Sequence, residues 1–188
     1  MTFRYIAAAL IALAAPAGLA AQDINITLDQ TLVENFDGNA VEEALGAFNA
    51  TVNARSTQTG APALSFAFPG GLSATAQPGT CREKEARTGC TGLVLSAFFD
   101  LPPGKTPADM PAIVNTFNAT HNASQVVYDA KGTSRLIHYI SADFGITKTN
   151  LVVQIYGFRQ AAQALSRQLF GAPAETPAAA PPAPAEAP

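Results

Sequence analysis

Residues 125–143 read QVVYDAKGTSRLIHYISAD. Two runs of strand composition flank Asp129-Ala130-Lys131-Gly132, and Gly132 can adopt the positive φ of a bulged hairpin turn. A hairpin fixes antiparallel pairing between its strands. Directly after it, residues 147–170 read TKTNLVVQIYGFRQAAQALSRQLF. Here Leu151, Ile155, Phe158, Ala162, Leu165 and Leu169 recur at helical spacing and form one apolar seam. Thr147 is placed to cap the start of this helix, and Gly171 to end it. Arg159 and Arg167 lie in its later half, where positive charge complements the helix dipole. A hairpin followed by a long amphipathic helix predicts an antiparallel sheet covered by helices.

Upstream segments extend this pattern. ATVNARST (50–57), ALSFAF (63–68) and LSATAQ (72–77) alternate with the period of two expected of half-buried strands. Leu64, Phe66 and Phe68 share one face of the second segment, and Leu72, Ala74 and Ala76 one face of the third. GLVLSAFF (92–99) is apolar at both parities, as a central strand would be. Two further helices are expected. NAVEEALGAFN (39–49) offers Asn39 and Glu42 as a capping box, with Val41, Leu45 and Phe48 on one face. TPADMPAIVNTFNATH (106–121) offers two starts, Thr106 before Pro107 or Asp109 before Met110, and Pro111 favours the later one. Its inner stripe is Met110, Val114 (or Ile113), Phe117 and His121. The expected fold class is therefore α+β: an antiparallel sheet of five to six strands with helices on one side, in the order α-β-β-β-β-α-β-β-α.

Both ends of the chain read differently from its middle. Arg4, an apolar run from Ile6 to Ala15, Pro16 and a small-residue site ending at Ala20 have the layout of a secretory signal peptide over 1–20. The apolar run is shorter than the roughly 20 residues a membrane span needs, so no stable membrane insertion is expected after cleavage. Losing Arg4 would move the net charge from −3 to −4. Residues 21–37 read as an N-terminal extension and 38–170 as one domain. Residues 171–188, GAPAETPAAAPPAPAEAP, lack any aromatic, branched aliphatic or basic residue and read as an extended spacer. The expected location is outside the cytoplasm, periplasmic or secreted.

Export bears on Cys81 and Cys90, the chain's two cysteines, which bracket CREKEARTGC. In an oxidising compartment two nearby thiols pair. A structural disulfide is therefore expected, closing a solvated hairpin tip at its base.

The order of these pieces resembles the YbjN-like family. The resemblance rests on Cys81 and Cys90 around a loop, an apolar strand after it, Val114-Asn115 with Asn118, Asp129 with Gly132 in a hairpin turn, and Gly145-Ile146 leading to Leu151. It implies a fold similar to type III secretion chaperones, often dimeric, and a label of sensory-transduction regulator. The export signal and the Pro/Ala tail depart from the family pattern. Export argues against a cytoplasmic chaperone role or a direct transcriptional one.

No catalytic set, cofactor site or metal site is expected. The chain has no Gly-x-Ser-x-Gly elbow and no phosphate loop with its lysine, and its two histidines lack metal-ligand spacing. The negative net charge argues against nucleic acid, whose binding needs a basic surface. Asp129 and Asp143 fit turn roles. The family resemblance implies a bacterial, periplasmic origin, and there the sequons at Asn25, Asn49, Asn118 and Asn122 carry no glycan. The expected function is a non-catalytic binding or regulatory module in the cell envelope, engaging an unknown protein partner or a second copy of itself. The alternative is an envelope small-ligand binder or hydrolase using Asn115, Asn118, His121 and Asp143, which requires those side chains to converge.

Overall fold

The computed structural model describes residues 28–56 and 60–171. The signal sequence read at 1–20, Asn25 and the tail beyond Gly171 lie outside them. The elements run β1 (Leu32–Val33), α1 (Ala40–Gly46), β2 (Thr51–Arg55), β3 (Leu64–Ala67), β4 (Ser73–Glu83), β5 (Thr88–Phe99), α2 (Met110–Thr120), β6 (Ser124–Tyr128), β7 (Ser134–Ser141), β8 (Ile146–Thr147) and α3 (Lys148–Phe170). Six strands form one antiparallel sheet in the order β2-β3-β4-β5-β7-β6, and β1 pairs with β8 in a separate two-stranded ribbon. The expected α+β fold class is present, and so is the expected order, with the short strands β1 and β8 added to it.

The hairpin of β6 and β7 turns at Asp129, whose Oδ1 accepts from the N–H groups of Lys131 and Thr133. Gly132 takes φ 86°, so the turn needs glycine for its conformation, and a Cβ there would also have to displace Leu101 Cδ1, 2.6 Å away. Register then assigns each residue to a face. Leu64, Ala76, Leu95, His138 and Ser124 lie in one cross-strand row, and Phe66, Ala74, Ala97, Leu136 and Val126 in the next. These rows are buried, and they meet the helices. Helix α3 brings all six seam residues into that core and contacts β5, β7, α1 and α2. Thr147 Oγ1 accepts from Asn150 N–H to cap it, and Gly171, at φ 83°, ends it.

Four expectations need correction. The capping box of α1 does not form, because Arg55 draws both residues away: its guanidinium donates to Asn39 Oδ1 at 3.2 Å and pairs with Glu42 at 2.9 Å. Strand β2 buries no residue. It is an edge strand with an irregularity between Val52 and Ala54, and its alternation has no layer to pack against. Strand β5 is central, but only its odd-numbered face, toward the helices, is fully closed, since Phe98 on the other face is exposed. Finally, the packed unit reaches back before residue 38. Val33 and Phe36 are core residues, and Asp37 binds the N–H groups of Gly89 and Cys90. Helix α2 reconciles its two expected starts. Asp109 Oδ2 accepts from the N–H and Oγ1–H of Thr106 to cap a 3₁₀ turn over Pro107–Asp109, and the α-helix begins at Met110.

Candidate functional site

The disulfide between Cys81 and Cys90 is formed. The two residues are paired across β4 and β5, two residues below the strand ends at Glu83 and Thr88. Cys90 donates its N–H to Asp37 Oδ1 and accepts at its carbonyl from Phe36 N–H. Both backbone groups therefore point away from Cys81. This makes the site a non-hydrogen-bonded pair, where facing side chains approach most closely.

The four residues of the alternative reading do not converge. Asn118 clamps edge strand β6 to α2: its Nδ2 donates to Val126 O at 3.0 Å and its Oδ1 accepts Val126 N–H at 2.8 Å. One side chain thereby seals backbone that an edge strand would otherwise expose. His121 closes α2. Its Nδ1 lies 3.0 Å from Phe117 O, and a carbonyl can only accept, so Nδ1 carries the proton. Its ring stacks on Phe117 at 3.9 Å. Asn115 is exposed on α2. Asp143 accepts from Thr91 Oγ1 and Ser141 Oγ, and these bonds hold its carboxyl below the usual range. The strand partner of Val126 is Leu136, five residues along β7 from Ser141. The separation along the strand is therefore about 17 Å, beyond one side chain's reach.

A serine, a histidine and a glutamine meet elsewhere, in a contact the sequence did not reveal. His138 is 2% exposed. Its Nε2 lies 2.9 Å from Gln154 Oε1 and its Nδ1 2.9 Å from Ser124 Oγ. An amide oxygen only accepts, so Nε2 carries the proton and Nδ1 receives the serine hydroxyl. Ser124 is itself buried within the core layer. No substrate can reach it, and the group ties β6, β7 and α3 together.

Burial pushes the His138 pKa down, with the Gln154 bond opposing it. The unfolded chain then binds a proton more readily than the folded one. Stability contributed here is complete above the ordinary imidazole pKa of about 6.5 and is lost as pH falls from there toward the lower folded value. Urea midpoints at pH 7.5 and pH 5.5 should show this loss, and His138→Gln should remove it. An equal loss in both proteins would assign the effect to other groups.

Among the described residues, the opposite face of the sheet carries no helix. Register puts Phe98, Arg135 and Val127 in one row across β5, β7 and β6. Ser96, Ile137 and Gln125 form the next row, then Val94 and Tyr139. Phe98 is 58% exposed, Tyr139 52% and Val127 44%. Arg135 lies flat at the centre. Its Nε and Nη2 donate to Ser96 Oγ at 3.1 and 2.9 Å, and its guanidinium stands 5.5 Å from the Phe98 ring centroid. Ser96 is left 1% exposed beneath it. Tyr139 is held across the sheet by a glycine: a Cβ on Gly92 would meet its hydroxyl at 2.8 Å. The hydroxyl reaches Thr80 Oγ1 at 3.4 Å.

No family model matches the chain, and no curated protein is similar to it at a significant level. Among solved structures, the crystal structure of YbjN from E. coli, described there as a candidate transcription regulator, superposes with a TM-score of 0.52. The match covers 72% of this chain and 91% of that one, at 15% sequence identity. The fold is YbjN-like. The resemblance seen in the cysteine-bracketed loop, the Asn118 helix and the Gly132 hairpin is thus carried by the architecture. At this identity the likeness speaks for the YbjN-like fold alone. The groups on the helix-free face are this chain's own and must be read from its own chemistry.

Proposed function

We propose that the protein is an exported, non-catalytic binding or regulatory module that engages another protein through the helix-free face of its sheet. The observation that carries this reading is the exposure of Phe98, Tyr139 and Val127 together around Arg135, on the layer that no element of the described chain covers. Aromatic side chains and arginine are the types that dominate protein interfaces. On α3 the apolar seam is enclosed in the core, and its exposed Val153 and Phe170 lie seventeen residues apart along the helix. The net charge of −3 favours a protein over a nucleic acid. Export is supported by the layout of residues 1–20 and by a disulfide suited to an oxidising compartment. The likeness to a candidate regulator agrees with a regulatory role.

Site-specific photocrosslinking tests the surface. A benzophenone amino acid at position 98 should give a heavier adduct in intact cells, whereas the same probe at Val153, exposed on the outer side of α3, should give little. Adducts from position 153 alone would move the interface to the helices and end this reading.

A further inference from the structure

We infer that the partner presents an extended segment with a carboxylate two and four positions from two apolar side chains, with Arg135 taking the carboxylate. This deepens the reading above and rests on it. The ion pairs among the described residues are Arg55–Glu42 and Lys148–Glu43, so Arg135 keeps an unneutralised charge in a chain of net charge −3. Ser96 occupies Nε and one side of Nη2. The end-on edge formed by Nη1 and Nη2 remains, and it has the spacing that a carboxylate accepts through two parallel bonds. Phe98 and Val127 flank it on either side and would exclude water from such a pair. The side chain is already fixed by Ser96 and by the Phe98 ring, so little freedom is lost on binding.

The shape of the face argues for a polypeptide. Small ligands need a concavity, and these residues stand on the surface of a sheet. A shallow concavity at Gln77, Thr80 and Arg87 adjoins the Tyr139 end of this face and does not include Arg135. Spacing then sets the segment's pattern. Arg135, Ile137 and Tyr139 succeed one another along one face of β7. The distance from Arg135 to Tyr139 is about 13 Å along the strand, which is the reach of four residues in an extended chain. A segment laid along β7 would place apolar side chains on Tyr139 and Ile137 and its Asp or Glu on Arg135.

A random linear peptide library displayed on phage, selected on the purified full chain, tests this. The enriched peptides should carry Asp or Glu with apolar residues two and four positions away. A synthetic copy of the strongest should lose about tenfold or more in affinity to Arg135→Gln, which can still bond Ser96 but has no charge. Thermal melting checks that this variant is folded. Arg135→Lys, charged but without the fork, should also bind more weakly and serves if the glutamine variant unfolds. Peptides without an acidic residue, no enrichment, or equal affinity for the Arg135 variants would overturn the inference. If binding ignores Arg135 yet falls with Phe98→Ala and Tyr139→Ala, the sheet-face reading survives without it. If binding ignores all three, both fall. Self-association abolished by Arg135→Gln would make the occupant a second copy. Peptide binding gained only after deletion of residues 172–188 would make it the chain's own tail. Either result overturns a separate acidic partner.

Discussion

Phe158→Ala should lower the free energy of unfolding by about 3–5 kcal/mol, the range for truncating a fully buried aromatic side chain. Phe158 has no exposed surface and lies in the middle of the α3 seam, between Ile155 and Ala162. Its ring meets the edge of His138 at 6.3 Å between centroids. The cavity left by truncation would sit between a 23-residue helix and a six-stranded sheet. Neither layer can close it alone, because each is fixed by hydrogen bonds of its own, so the loss should fall toward the upper end. Urea unfolding followed by circular dichroism reads the effect. Val153→Ala, on the outer side of the same helix, should shift stability by no more than about 0.5 kcal/mol. A loss below about 1 kcal/mol for Phe158→Ala would mean that α3 is not packed on the sheet as described.

The second large effect belongs to the disulfide. Cys81→Ser should lower stability by roughly 2.5–3 kcal/mol, the chain-entropy value for a loop of about 10 residues, while leaving the fold intact. Cys81 is the better of the two cysteines to replace, because it is only half-buried whereas Cys90 is fully enclosed. The long ladder between β4 and β5 holds the hairpin without the bond. A thiol reagent should find no free sulfhydryl in the native or denatured protein. Reduction of the unsubstituted protein should reproduce the drop in melting midpoint. If substitution lowers stability and reduction does not, the contribution is packing at Cys81 and not the crosslink.

Periodicity made the buried half of this fold legible. The six seam residues of α3 are all in the core, as are Leu64, Phe66 and Phe68, because a residue that faces a layer is selected for being apolar. Turn and cap chemistry was equally readable at Gly132, Thr147 and Gly171, where conformation or a single bond decides the residue. Competition for partners was not readable. Asn39 had the right neighbour for a capping box, but Arg55, distant in sequence, took both side chains. Arg159 has the same lesson: it reads as a dipole-compensating charge, yet it is buried with its guanidinium 5.5 Å from the Phe68 ring.

The candidate surface was hidden by a different cause. GLVLSAFF is apolar at both parities, and apolar character alone does not tell a buried Leu95 from an exposed Phe98. Arg135 and Tyr139 were in plain view in RLIHYIS, but their significance needs the register that places Phe98 beside one and Gly92 beneath the other. From the sequence Asn118 was a candidate site residue, and the structure shows it tying its helix to neighbouring backbone. Which backbone became known only with the edge position of β6.

Hydroxyl-radical footprinting of the purified monomer tests most directly whether one face of this sheet is open. The account predicts rapid oxidation of Phe98 and Tyr139 and protection of Phe66, Phe117 and Phe158. Protection of Phe98 and Tyr139 to the level of Phe158, at concentrations where light scattering finds a single chain, would show that the face is already covered and would contradict it.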